Sequence, residues 1–341
     1  MSDLPDATPV IDLIEAFRRS KTMFTAHALG IFDLLAAEPA GAAEMAARLN
    51  SNANATERLL DGCAALGLVE KHEGIYRNAP VAETYLRSQS PHCLGGYIAY
   101  SNQALYPMWA NLEDAVREGS TRWKQTFGIA GGIFDGFFRT PEAARDFLMG
   151  MHGFGMLTSP RVVEAFDLSC FSCLADLGGA TGHLAIAACE RYPHLESVVF
   201  DLAQVTELAH EQASRSAARD RIHVVTGDFF VDPLPQADLY ALGRILHDWS
   251  DEKIATLLGN ILDRLPPGGG LLIAEKLLAE DGVGPVSANM QSLNMLVIAE
   301  GKERSASQYQ RLLESAGFTA VEARRTGVPL DAILARKPAL P

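Results

Sequence analysis

From Cys173 to His183 the chain reads Cys-Leu-Ala-Asp-Leu-Gly-Gly-Ala-Thr-Gly-His, and Leu184-Ala185-Ile186 then opens an apolar-periodic stretch. A short apolar run entering a glycine-rich turn and leaving it as a helix is a strand–turn–helix unit. It leaves backbone N–H groups open to a ligand at the carboxyl edge of a parallel sheet. The spacing departs from the G-x-G-x-x-G turn of nicotinamide-binding proteins. It matches a shorter G-x-G-x-G form, with Ala180 at the middle position.

From about Ser169 onward, apolar strand-like runs alternate with helical stretches, which predicts an α/β fold with a Rossmann-like, mainly parallel sheet. The runs are Cys173–Leu177, Val198–Asp201, Ile222–Val225, Ala237–Leu242 and Gly270–Ala274. A closing hairpin, Ala320–Arg324 and Asp331–Arg336, brings the sheet to seven strands with an antiparallel last strand. Asp201 closes the second run and Asp228 the third, so two carboxylates share the carboxyl edge with the glycine turn. One such Asp is as readily a helix cap. Three ligand-type features in order favour a bound adenosine-type cofactor, although Asp201 alone also suits NAD.

The first ~85 residues differ. Val10, Leu13, Ile14 and Phe17 recur at helical spacing, then Leu29, Phe32 and Leu35 form a second apolar stripe. Pro39-Ala40-Gly41 interrupts the pattern. Helices follow over 42–49 and about 55–66, then a two-stranded wing turning at Glu73-Gly74. This is a winged-helix pattern, and its obvious use is DNA binding. The candidate recognition helix offers Thr56, Glu57, Arg58 and Asp61, and the chain carries a formal net charge of -13. Phosphate contact requires clustered Lys and Arg, so nucleic acid is not expected as a partner. A dimerisation module is. The stretch 94–165 reads as mainly helical, giving expected boundaries of 1–93, 94–165 and 166–341.

Five cysteines form no closely spaced even framework, and Cys170-x-x-Cys173 has no second pair to complete a zinc site. No apolar run reaches ~18 residues and Met1–Pro9 lacks signal-peptide character. The expectation is a cytoplasmic protein with no metal and no membrane partner.

The fourth run ends in Gly243-Arg244-Ile245-Leu246-His247-Asp248-Trp249-Ser250-Asp251-Glu252. With the glycine turn, Gly227-Asp228-Phe229-Phe230 and Gly301-Lys302-Glu303-Arg304-Ser305, this resembles the plant-type, class II small-molecule O-methyltransferases, and within them the acetylserotonin O-methyltransferase branch. The resemblance implies S-adenosylmethionine (SAM) as methyl donor, S-adenosylhomocysteine (SAH) as product, a homodimer and a small hydroxyl-bearing, aromatic acceptor. It implies a cofactor site of Gly178, Gly179, Asp201, Leu202, Asp228, Phe229, Phe230 and Arg244, with Phe138 on its wall. It places Asp248, Asn294 and Met295 at the acceptor. It makes His247 the base, flanked by Glu275 and Glu303.

Physical chemistry supports a histidine there. The donor is already activated, so a hydroxyl acceptor needs only a positioned base that titrates near neutrality. A histidine after a strand is otherwise a cap or a satisfied core residue, and Asn294 otherwise a helix surface amide. A thiol, nitrogen or carbon acceptor, or a silent SAM-binding protein, would use the same scaffold. The chain departs from the family at Ala180, usually Gly. Phe138 and Gly155 replace a Tyr and a Trp of the acetylserotonin enzymes, and loss of the indole is expected to open the pocket.

Overall fold

A computed structural model describes residues 4–339, and the chain divides into two compact units between Ala104 and Leu105. In the first unit, a helix over Thr8–Ala28 ends at Leu29, and Gly30 turns left-handed (φ 71°) into Ile31–Ala37. Leu29 therefore finishes the first helix, largely exposed, and does not join the second stripe. Two more helices, Ala42–Leu49 and Ala53–Ala65, follow, the latter capped by Asn52 accepting from the Ala55 N–H. Three strands, β1 (Ala40–Gly41), β2 (Val69–His72) and β3 (Ile75–Asn78), form a sheet in the order β1-β3-β2. The sheet thus has one strand more than expected, because Ala40–Gly41 pairs with Tyr76 and Ile75 where the sequence suggests only a break. Ile31, Phe32, Leu35, Met45, Leu60 and Tyr76 fill the core. Asp61, on the candidate recognition helix, is taken up by Lys71 (2.7 Å) and the Tyr76 hydroxyl (2.7 Å).

One face of Thr8–Ala28 stays uncovered in the single chain. Val10, Leu13, Ile14 and Phe17 are each more than half exposed. No helix among the described residues is long and apolar enough to cross a membrane.

The second unit is built on seven strands: β4 (Cys173–Leu177), β5 (Glu196–Asp201), β6 (Ile222–Thr226), β7 (Leu239–Gly243), β8 (Gly270–Glu275), β9 (Thr319–Arg324) and β10 (Asp331–Arg336). Their order is β6-β5-β4-β7-β8-β10-β9. The first five run parallel, and β10 lies antiparallel to both β8 and β9. Every residue of β8 is buried, as expected of a strand covered on both faces, and its last member is Glu275. Strand order reverses between β4 and β7, and such a switch point is where open α/β sheets leave a crevice at the strand ends.

Candidate active site

The turn after β4 alternates left-handed backbone: Gly178 at φ 64°, Ala180 at 50° and Gly182 at 77°. At Gly178 a Cβ would also fall 2.5 Å from Ile245 Cδ1, so only glycine fits. Ala180 holds the same kind of conformation with a methyl group, at a cost of about 1 kcal/mol. Asp201, at the end of β5, ties the turn down. One carboxylate oxygen accepts from the Ala180 N–H (2.8 Å) and the other from the Leu202 N–H (2.7 Å). Burial raises its pKa to about 6. Asp201 therefore does not cap the helix that follows, Ala203–Arg215, and its hydrogen bonds go to the glycine turn and to Leu202.

Asp228 lies just past the end of β6 and accepts from the Phe230 N–H (2.8 Å). Phe229 is buried beside Ile245, and Phe230 stands edge-on to Trp249 at 5.0 Å. Phe138 stacks on Phe134 at 5.8 Å and packs in one apolar cluster with Ala180 and Leu202. Arg244 occupies a left-handed backbone position (φ 60°), with its guanidinium over Phe154 (5.0 Å) and Nη1 against Met151 Sδ (2.9 Å). Its Nε is buried with no partner among the described residues.

At the ends of β7 and β8 the structure assembles a second constellation. His247, in a short helical turn over Leu246–Asp248, is only 3% exposed. Its Nδ1 lies 2.7 Å from Glu303 Oε1 and 3.1 Å from Glu275 Oε2. The other Glu275 oxygen accepts from the backbone N–H groups of Ile245, Leu246 and His247 at 3.1, 2.9 and 3.3 Å, which fixes the histidine turn. Glu303 reaches the imidazole because Gly301 lets its loop lie on the turn. A Cβ there would fall 2.3 Å from the His247 carbonyl oxygen. On the other ring edge, Asp248 Oδ1 is 3.6 Å from Nε2. Burial pushes the carboxyl groups of Glu275 and Glu303 up, to about 7 and about 8.

A carboxylate bonded to Nδ1 holds the hydrogen on that nitrogen and leaves Nε2 free to take a proton. His247 is buried, with Nδ1 hydrogen-bonded to Glu303 and close to Glu275, so it is not a surface cap.

Met295 is buried, and so is Asn294, whose amide oxygen accepts from the Trp109 indole N–H (2.8 Å). Asn294 is therefore not a helix surface amide. The expected opening beside Gly155 does not occur, because the His183 ring fills it. A Cβ on Gly155 would fall 2.2 Å from that ring. The His183 Nδ1 meets the Ser159 hydroxyl (2.9 Å), and burial drives its pKa to about 3. His152 Nδ1 meets the Thr181 hydroxyl (2.8 Å) in the glycine turn. Neither histidine stands out by spacing in the sequence. Only the mutual fit of Gly155 and the residue after Gly182 marks the first.

Family models match on both units: an O-methyltransferase dimerisation domain over residues 11–88 and an O-methyltransferase domain over residues 109–319. The chain belongs to the SAM-dependent O-methyltransferases. Its relatives define the branch. It is 41% identical to the acetylserotonin O-methyltransferase of Gallus gallus, covering 98% of this chain and 99% of that one. It is 44% identical to a probable bifunctional dTTP/UTP pyrophosphatase/methyltransferase protein of Homo sapiens, covering 98% of this chain but spanning only 54% of that relative's length. The solved structure of human N-acetylserotonin methyltransferase in complex with SAM superposes with a TM-score of 0.93, at 39% identity over 99% of this chain and 100% of that one. A second, PigF with SAH, gives 0.88 at 30% identity over 97% and 100%.

Proposed function

We propose that this methyltransferase acts on the hydroxyl group of a small aromatic acceptor, with His247 as general base, and works as a homodimer. The observation that carries the reading is the buried His247 with the carboxyl groups of Glu303 and Glu275 at Nδ1 and none within hydrogen-bond distance of Nε2. A base oriented in this way takes the acceptor's proton on Nε2, and Glu275 favours the imidazolium that results. Asp248 and Asn294, with the apolar Met295 beside them, would hold the acceptor.

The cofactor site is assigned to Gly178, Gly179, Asp201, Leu202, Asp228, Phe229, Phe230 and Arg244, with Phe138 on its wall. The fit rests on a turn that excludes a side chain at Gly178, a half-buried carboxylate at the end of β5 and the unpartnered Arg244 Nε. When bound there, SAM supplies an electrophilic methyl group on a good leaving group. The protein's part is to hold the acceptor oxygen in line and remove its proton. The exposed stripe of Val10, Leu13, Ile14 and Phe17 is assigned to the second copy of the chain, in keeping with the dimerisation family over 11–88. Five free cysteines suit a cytoplasmic setting.

The test is His247→Ala, assayed with labelled SAM on a panel of phenols and indoles. Turnover should fall by roughly 10²–10⁴ while SAM affinity stays unchanged. Near-full turnover would mean a self-activated acceptor such as a thiol. Joint loss of turnover and SAM binding would make His247 a structural residue.

A further inference from the structure

Glu275 and Glu303 approach one imidazole nitrogen, and that nitrogen carries one hydrogen at most. Their surroundings are unequal. Glu275 Oε1 collects three backbone N–H donors, so its charge is well served. Glu303 meets only His247 Nδ1, through Oε1, whereas Oε2 of both acids is buried with no hydrogen-bond partner among the described residues, so the two differ in the donors at Oε1.

The ionisable groups facing the pair are Asp248, Arg244, Lys276, Arg304 and Tyr309. Arg304 directs its guanidinium to the Leu246 and Lys302 carbonyl oxygens and to Asp251. Arg244 points Nη1 at Met151 Sδ, and Lys276 sits 5.6 Å from the centre of the Phe154 ring. Tyr309 is fully buried with an unpartnered hydroxyl, and burial beside the two acids keeps it a neutral phenol. Two carboxylate charges in this dry site would share donors sufficient for one, and a proton on the poorer-served acid relieves them.

We infer that the pair carries a single negative charge at neutral pH, with Glu275 ionised and Glu303 protonated on Oε2. This rests on the reading of His247 as base and makes Glu303 a neutral positioning residue. Its Oε1 is then a carbonyl-type acceptor for the Nδ1 hydrogen, which leaves the Nε2 lone pair free. A proton on Oε1 would instead be donated to Nδ1, put the ring hydrogen on Nε2 and abolish the base. When His247 takes the acceptor's proton, the imidazolium balances Glu275, and the three groups pass from net −1 to neutral. Burial raises the proton affinity of both carboxyl groups, in keeping with a proton held within the pair.

Infrared difference spectroscopy on the full-length protein tests this through the carbonyl stretch of a protonated carboxyl group. Wild type minus Glu303→Gln at pH 7 should show that band, and Glu303→Asp should displace it while Glu275→Asp leaves it in place. The buried acid Asp176 contributes a band common to all the proteins, which cancels. If Glu303→Gln does not fold, the two aspartate variants alone decide the matter. A missing band, or one that moves with Glu275→Asp and not with Glu303→Asp, overturns the assignment. In turnover, Glu275→Gln should lose at least tenfold more than Glu303→Gln, with SAM affinity equal in both, and equal losses overturn it. Failure of the base reading looks different: His247→Ala then keeps its turnover while the infrared result stands.

Discussion

The two units each break the usual division between inside and outside, in opposite ways. The helix Thr8–Ala28 shows water Val10, Leu13, Ile14 and Phe17, whereas the second unit keeps His247, Glu275 and Glu303 almost wholly dry. The buried acids are compensated within the chain, by backbone N–H groups, an imidazole and a raised affinity for protons. Among the described residues of the N-terminal unit, nothing covers the apolar stripe. A misplaced charge can be satisfied locally because hydrogen bonds are short and directional. Exposed apolar area is relieved only by more surface.

The most damaging way to break this comparison is Glu275→Ala. It leaves three N–H donors of the histidine turn unsatisfied and the imidazole without its ionised partner. Unfolding free energy should drop by about 3–5 kcal/mol, read by denaturant titration. A loss below about 1 kcal/mol would show that the dry cluster does not hold the turn.

Leu13→Glu combined with Phe17→Glu attacks the other side. These positions face water in the single chain, so intrinsic folding should change by about 0.5 kcal/mol or less. Association should weaken by about 2 kcal/mol or more, and sedimentation at micromolar concentration should then report monomer. An undisturbed dimer would mean that this stripe is not the contact.

The smallest effect separates the two kinds of burial without a mutation. Asp176 and Glu303 have folded pKa values raised to about 7 and about 8. The folded chain therefore binds more protons than the unfolded one above the ordinary carboxylate range. Stability from these groups is complete below that range and is lost as pH rises through about 7 to 8. The slope is roughly 1 kcal/mol per pH unit per proton. His183, depressed to about 3, acts with the opposite sign but only below the ordinary imidazole range. Melting temperature should accordingly decline from pH 6.5 to 7.5, below the range where Lys276, lowered to about 8 by burial, acts with the opposite sign, and a flat profile there would exclude buried acids of this kind.

Much of this could be read in the residues. The glycine turn, the acids after β5 and β6, and the seven-strand count follow from short apolar runs and punctuation, which are local properties. The motif around His247 carried the family. Other features depend on which distant residues meet. Ala40–Gly41 becomes a strand only because β3 lies beside it. Gly155 suggests an open pocket until His183, far along the chain, is seen to fill it. Asn294 could have been a surface amide until Trp109 reached it.

The sequence by itself determined the order of elements, the chemistry of the side chains at the strand ends and an apolar N-terminal helix face, because periodicity and residue type are written along the chain. Only the tertiary structure decided that Glu275 and Glu303 converge on a single nitrogen of His247, and that just one of them has backbone donors enough for its charge. The pair is separated by more than two dozen residues, and their protonation depends on distances, burial and donor counts that arise only when β7, β8 and the Gly301 loop are packed together.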